Sequence, residues 1–249
     1  MSTGTKLPKG PKVRRVSPAT WWPALTFTPR WLRVVVAVAL VLDVLVLSGD
    51  VFAYVNRRGV PILPGVFAPW LDASEDGSVA ELYGHLQLLA AIVALVLVWR
   101  ATRVGVYAAW ALAFAALVAD DFFQIHERVG EMLVDTFSLP AVAGLRPQDL
   151  GELVVWAAAG IVVGGLLVVT HLRAGPRHRS DSWLLAASAA VLALFAVALD
   201  MVDAVVKRMT GQGTLTSLLD YAESAGELLT MTLMLFVALA IWVRQRSDP

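Results

Sequence analysis

Six apolar runs, each about as long as a membrane is thick, dominate this chain. They fall at 31–54, 79–99, 104–126, 150–172, 182–206 and 218–243. A hydrocarbon core of roughly 30 Å takes about 20 residues of helix to cross. The runs are too long for barrel strands and show no strand alternation. The fold class is therefore all-α: a polytopic membrane protein built as a six-helix bundle over 31–244. Composition agrees. AVILMFWYC residues make up 58% of the chain and charged residues 16%, against about 45–50% and about 25% in soluble domains. A soluble enzyme, a nucleic-acid binder and a disordered chain are excluded. The chain has no cysteine, which removes disulfides, thiolate metal sites and Cys nucleophiles.

The flanks and loops set a direction. Residues 1–30 hold Lys6, Lys9, Lys12, Arg14, Arg15 and Arg30 and no acid, as expected of a basic, mostly disordered arm. Trp21, Trp22 and Trp31 suit the membrane interface. Asp43 interrupts the first run and no small-residue cleavage pattern comes after it, so this span is expected to remain as an anchor. Fourteen of the 20 Lys and Arg residues lie in 1–33, 100–103, 171–182 and 244–249, together with only Asp181 and Asp248 of the 20 acids. By the positive-inside rule these parts are cytoplasmic, both termini included, in a bacterial inner membrane. Residues 245–249 are then a short cytoplasmic tail.

The spacing carries a repeat signal. Glu81, Glu152 and Glu223 are 71 residues apart, twice. At the same offset Asp50 matches Asp121, Phe52 matches Phe123, Arg57 matches Arg128, Gly59 matches Gly130 and Pro69 matches Pro140. A looser third copy runs through Asp200 or Asp203, Arg208 and Gly211. Three helical hairpins of one design are expected.

The remaining acids gather at one level. A rise of 1.5 Å per residue puts Asp50, Asp120 and Asp200 each about 26 Å from the cytoplasmic end of its helix. Glu81, Glu152 and Asp220 begin helices at that level, where the dipole favours a negative charge by about 0.3–1 kcal/mol; capping is the first reading for them and a site role the second. Asp50, Asp120, Asp121, Asp200 and Asp203 sit toward C-terminal ends, where the dipole opposes them. Their counter-charge is Arg57, Arg128, Lys207 or Arg208, or a bound cation; Lys207 lies four residues after Asp203, a helical salt-bridge spacing.

The sharpest motif is Asp120-Asp121-Phe122-Phe123-Gln124-Ile125-His126-Glu127-Arg128. On a regular helix Asp120, Gln124, Glu127 and Glu131 share a stripe. His126 points away from it unless the helix ends or unwinds near Gln124. Glu81 and His85 share a face of helix 2, and Asp220, Glu223, Ser224 and Glu227 share a face of helix 6. Such convergence is how helical bundles build carboxylate metal sites. The candidate ligands are Glu81, His85, Asp120, Asp121, His126, Glu127, Glu223 and Glu227. Imidazole with carboxylate suits Zn, Mn or Fe; carboxylates alone suit Ca. A bound ion activates water or polarises a substrate oxygen, with Glu127 or Glu227 as catalytic general base. Two other readings compete: an interhelical salt-bridge network, and protonated carboxyls in a water-filled vestibule. Asp43 lies about 15 Å into the first helix, with Asp50 two turns above on the same face. The pair is the candidate ion pathway, against a plain hydrogen bond from Asp43 to a neighbouring helix. His171 and His178 read as surface residues.

The 120–128 stretch resembles a D-[DE]-x4-H-E motif in a loose group of uncharacterised bacterial multi-pass membrane proteins, in which an E-rich helix comes later in the chain; Glu223 and Glu227 would be that element. The resemblance implies no activity. Ceramidase-like and adiponectin-receptor-like hydrolases are not matched, because only His85 and His126 lie on the outer side here.

The leading expectation is a divalent metal in an outward-facing carboxylate and histidine site, serving metal-dependent chemistry on a lipid or small extracytoplasmic substrate. Besides the lipid bilayer, a protein partner or a second copy stays open. Two alternatives remain: a cation or proton transporter using Asp43 and the acidic vestibule, and a non-catalytic subunit of a membrane complex. The nearly unbroken Val, Leu and Ala of the cytoplasmic halves count against a pore.

Overall fold

The computed structural model describes residues 28–59, 68–75, 77–142 and 145–247. The basic arm up to residue 27, the Arg57 side chain and Asp248 lie outside the described residues. The helices are α1 (Arg30–Arg57), α2 (Ala68–Leu71), α3 (Val79–Thr102), α4 (Gly105–Phe122), α5 (Ile125–Phe137), α6 (Pro147–Arg173), α7 (Pro176–Ala193), α8 (Asp200–Thr210) and α9 (Thr214–Ser247). A π-helical stretch, Leu194–Leu199, joins α7 to α8. There is no β-strand among the described residues. Six helical segments are long and apolar enough to cross a membrane, with α7, the π stretch and α8 forming one of them.

Local chemistry sets the boundaries. Ser78 caps α3 by accepting the Glu81 N–H at its Oγ, 3.2 Å away, and Glu81 returns a carboxylate oxygen to the Gly77 N–H at 2.7 Å. Such caps satisfy N–H groups that the first helical turn leaves over. Arg103, in the left-handed region at φ 58°, closes α3, and α4 starts two residues later. Pro147 and Pro176 open α6 and α7 at the first helical position, where a missing N–H costs nothing. Asp149 accepts the Arg146 N–H at 2.7 Å at the head of α6.

The long α9 is the hub, packing on α3, α7, α1 and the π stretch. Its apolar seam with α3, α4 and α7 holds Leu88, Leu95, Tyr107, Phe114, Leu185, Met234 and Ile241, each almost wholly buried. The other flank of the bundle is α6, which leans on α5 and α4 and has no buried residue in its most apolar stretch. That face is apolar and uncovered by the rest of the chain among the described residues. Two close approaches fix how the elements meet. A Cβ on Gly151 of α6 would lie 2.5 Å from the Gly130 carbonyl oxygen of α5. A Cβ on Gly226 of α9 would lie 2.1 Å from the Phe195 ring of the π stretch.

Several boundaries differ from those read in the sequence. The third span stops at Phe122, not 126, because Phe123 and then Gln124, at φ 51°, leave the helical path. The stretch 127–149, expected as a loop, holds most of α5. One edge of α5 is charged, and Met132 and Phe137 on it are exposed. The fourth, fifth and sixth spans begin earlier, at Pro147, Pro176 and Thr214. Helix α1 comes back to the end of α9, where Trp31 meets Trp242 edge to face at 6.2 Å.

Candidate metal site in an acidic cavity

A cavity of about 890 Å³ opens at one end of the bundle, walled by α3, α4, α5, α6, the π stretch, α8 and α9. Ten carboxylates line it, against two arginines, Arg128 and Arg146. Arg146 is held at Asp149 by two hydrogen bonds to Oδ1, of 2.9 and 2.6 Å. Those bonds raise its guanidinium pKa further and fix its charge in place. Among the described residues no basic side chain pairs with Glu223 or Glu227.

Six of the eight candidate ligands line this cavity: Glu81, Asp121, His126, Glu127, Glu223 and Glu227. The other two stand just behind the wall, each bonded to one that lines it. His85, 5% exposed, sets its Nε2 2.8 Å from Asp121 Oδ2. Its Nδ1 has no hydrogen-bond partner and lies 3.9 Å from Glu81 Oε1. Asp120 sets Oδ2 2.8 Å from His126 Nδ1 and accepts the His126 N–H at Oδ1, 3.0 Å away. The helix break at Gln124 makes this possible. It turns His126 back toward Asp120, and it also ends the single stripe expected for Asp120, Gln124, Glu127 and Glu131. Trp156 of α6 lies against the His126 ring, centroids 5.5 Å apart.

Glu81, His85 and Asp121 each offer one ligand atom, and all three atoms lie within 4.8 Å of one another. A carboxylate only accepts hydrogen bonds, so the ring nitrogen beside Asp121 carries the proton. A neutral His85 then turns the lone pair of Nδ1 toward Glu81. That arrangement is repulsive until a proton or a cation sits between them. The 3.9 Å gap is too long for a hydrogen bond and about the sum of two metal–ligand bonds of ~2.0–2.1 Å.

The other sequence candidates lie elsewhere. Asp50 accepts the Ala73 N–H at 2.9 Å and borders a neighbouring cavity. Asp43 is wholly buried between α1, α3 and α9, where Gln87 Nε2 and the Thr232 hydroxyl donate to it at 3.1 and 2.7 Å. Neither lines the acidic cavity. Lys207 does bridge to Asp203 at 2.5 Å, and also to Asp220 at 2.8 Å.

The sequence reading missed a polar group at the opposite end. Asp181 is wholly buried; it pairs with Arg244 and accepts the Tyr107 hydroxyl at 2.6 Å. His178, read as a surface residue, sets Nδ1 2.8 Å from that same hydroxyl. One signal was present: Asp181 is an acid in an otherwise basic segment, and such a residue needs a partner.

Fold and site together define a polytopic helical membrane protein with an acidic, histidine-bearing cavity at one end of its bundle. Residues 29–243 match the family described as "Domain of unknown function (DUF8692)", and the chain belongs to that family. No curated protein and no solved structure matches it.

Proposed function

We propose that the Glu81, His85 and Asp121 group holds a divalent metal ion at the acidic cavity, with His85 Nδ1 and Glu81 as ligands and Asp121 holding the far ring nitrogen. One observation carries this reading: the buried Nδ1 of His85, without a hydrogen-bond partner, faces Glu81 while Asp121 holds the other ring nitrogen. A carboxylate on the far nitrogen of a ligating imidazole is the usual means of fixing its tautomer and orientation. The ten carboxylates around the ion favour its entry. Zn, Mn and Fe suit this donor set better than Ca.

The cavity is large enough for a substrate headgroup beside the ion. A metal-dependent reaction on a lipid or a small molecule entering from that side fits it, with Glu127 or Glu227 as base. In this proposal the cavity faces away from the cytoplasm of a bacterial cell and both termini face in. The arginine-rich ends of α1, α3, α6 and α9 support that orientation. The 71-residue spacing fits a threefold hairpin design, since Glu81, Glu152 and Glu223 line one cavity. A transport role for Asp43 has less support. Leu95, Val98, Leu185, Ala238 and Ile241 fill the core beyond it with apolar side chains.

Elemental analysis of the purified protein, before and after chelation, tests the metal. At least one equivalent of a first-row ion is expected, with one equivalent fewer in His85→Ala. A metal-free protein that takes up none of Zn, Mn or Fe overturns the proposal. Cysteines placed singly at Arg177 and Met209 test the orientation: labelling from outside is expected at Met209 and not at Arg177.

A further inference from the structure

The geometry around His85 is drawn a second time around His126. In the first group Asp121 takes Nε2 at 2.8 Å and Glu81 faces Nδ1 at 3.9 Å. In the second Asp120 takes Nδ1 at 2.8 Å and Glu127 faces Nε2 at 4.0 Å. Two consecutive aspartates thus hold two imidazoles, one from α3 and one from α5. In each case the far ring nitrogen looks at a second carboxylate across a gap too long for a hydrogen bond.

The His126 ring is held firmly. Asp120 binds its Nδ1 and its backbone N–H with different oxygens. Trp156 lies along one side of it. With the proton fixed on Nδ1, Nε2 presents a lone pair to Glu127, and both residues are part of the cavity wall. Two donors about 4 Å apart, one imidazole and one carboxylate, fit one ion with bonds of ~2.0–2.1 Å. The left-handed residue Gln124 is what sets Asp120 and His126 together, so the helix break is part of the site.

We infer that the cavity contains a second, separate station for a first-row divalent ion, held by His126 Nε2 and Glu127 with Asp120 as the positioning residue. The inference rests on the metal reading above and deepens it. Glu127 is then a ligand, which leaves Glu227 as the base. A second positive ion is also what a wall of ten carboxylates and two arginines accommodates best.

The test uses the full chain in detergent, stripped with EDTA and titrated with Co²⁺. Bound cobalt is counted by elemental analysis after desalting, and tryptophan fluorescence is monitored, because a cobalt ion beside Trp156 quenches it. Two equivalents are expected in the wild type, one in His126→Gln and one in His85→Gln. The quenching step assigned to Trp156, absent in Trp156→Phe, should disappear in His126→Gln and survive in His85→Gln. Asp120→Asn, which keeps the ligands, should weaken only the second equivalent, by about 10–100-fold; it also serves if His126→Gln fails to fold. One equivalent in the wild type, unchanged by His126→Gln, overturns the second station and leaves the first standing. Two equivalents in both the wild type and His126→Gln place the second ion elsewhere and overturn it as well. No bound cobalt in the wild type overturns both readings.

Discussion

At one end of the bundle Asp181 is sealed from water and met by Arg244 and by the Tyr107 hydroxyl. At the other end Glu223 and Glu227 face an open cavity with no base paired to either among the described residues. The first arrangement obeys the rule for buried charge: it is tolerated when paired and hydrogen-bonded, and removing one partner strands the other. Gln245 donates to the same Tyr107 oxygen at 3.3 Å, and Trp110 Nε1 donates to Ser182 Oγ at 2.9 Å, so side-chain bonds link α4, α7 and α9 at the closed end. The second arrangement lacks such a pairing at Glu223 and Glu227. Like charges gathered around water or an ion repel in the empty state, and such a site persists where a ligand offsets the repulsion. The comparison separates a polar cluster closed by its own counter-charge from one in which carboxylates far outnumber cations.

The comparison is open to breakage at several points. Arg244→Ala should have the largest effect. It leaves Asp181 buried without its cation, at a cost of about 3–5 kcal/mol, seen as a large fall in the melting temperature in detergent. A smaller loss is expected for Gly151→Ala. Its Cβ would meet the Gly130 carbonyl at 2.5 Å and push α5 off α6. Overpacking of this kind costs about 1–3 kcal/mol. Because α5 carries His126 and Glu127, the same variant should also bind less metal. Glu223→Gln, at the open end, should be the mildest. Measured without metal, it should be neutral or slightly stabilising, since no base pairs with Glu223 among the described residues and the amide keeps its shape. A fall in the melting temperature as large as that of Arg244→Ala would erase the distinction between the two ends.

How much of this is legible in the sequence depends on the scale of the signal. Six spans are legible because a membrane demands about 20 apolar residues in a row, and no tertiary contact overrides that. The acidic end is legible too: helix length alone places Asp120, Glu81 and Glu223 near one level. Helix α5 is not, because a charged amphipathic segment between two spans resembles a loop when only hydropathy is read. The break at Gln124 has no Gly or Pro to announce it. Residues on either side of the break set it, as Asp120 captures the backbone and ring of His126. The Asp181–Arg244 pair joins residues 63 positions apart, and no local pattern predicts such a pairing. The Gly130 and Gly151 approach is of the same kind, since either glycine alone reads as a flexible point.

The metal should also be acid-sensitive. Protons compete for imidazole ligands, whose unperturbed pKa is about 6.5. The stabilisation that an ion gives should be present at about pH 7.5 and should fall away as the pH drops below about 5.5. The most direct test of the central claim is the melting temperature of the wild type and of His85→Ala, each stripped with EDTA and then given Zn, Mn or Ca. A ligand that binds only the folded state, at about 100 times its Kd, stabilises by about 2.7 kcal/mol. The account predicts that EDTA lowers the wild-type melting temperature, that Zn or Mn restores it, and that both shifts are clearly smaller in His85→Ala. A wild-type melting temperature that no chelator and no metal moves would contradict it.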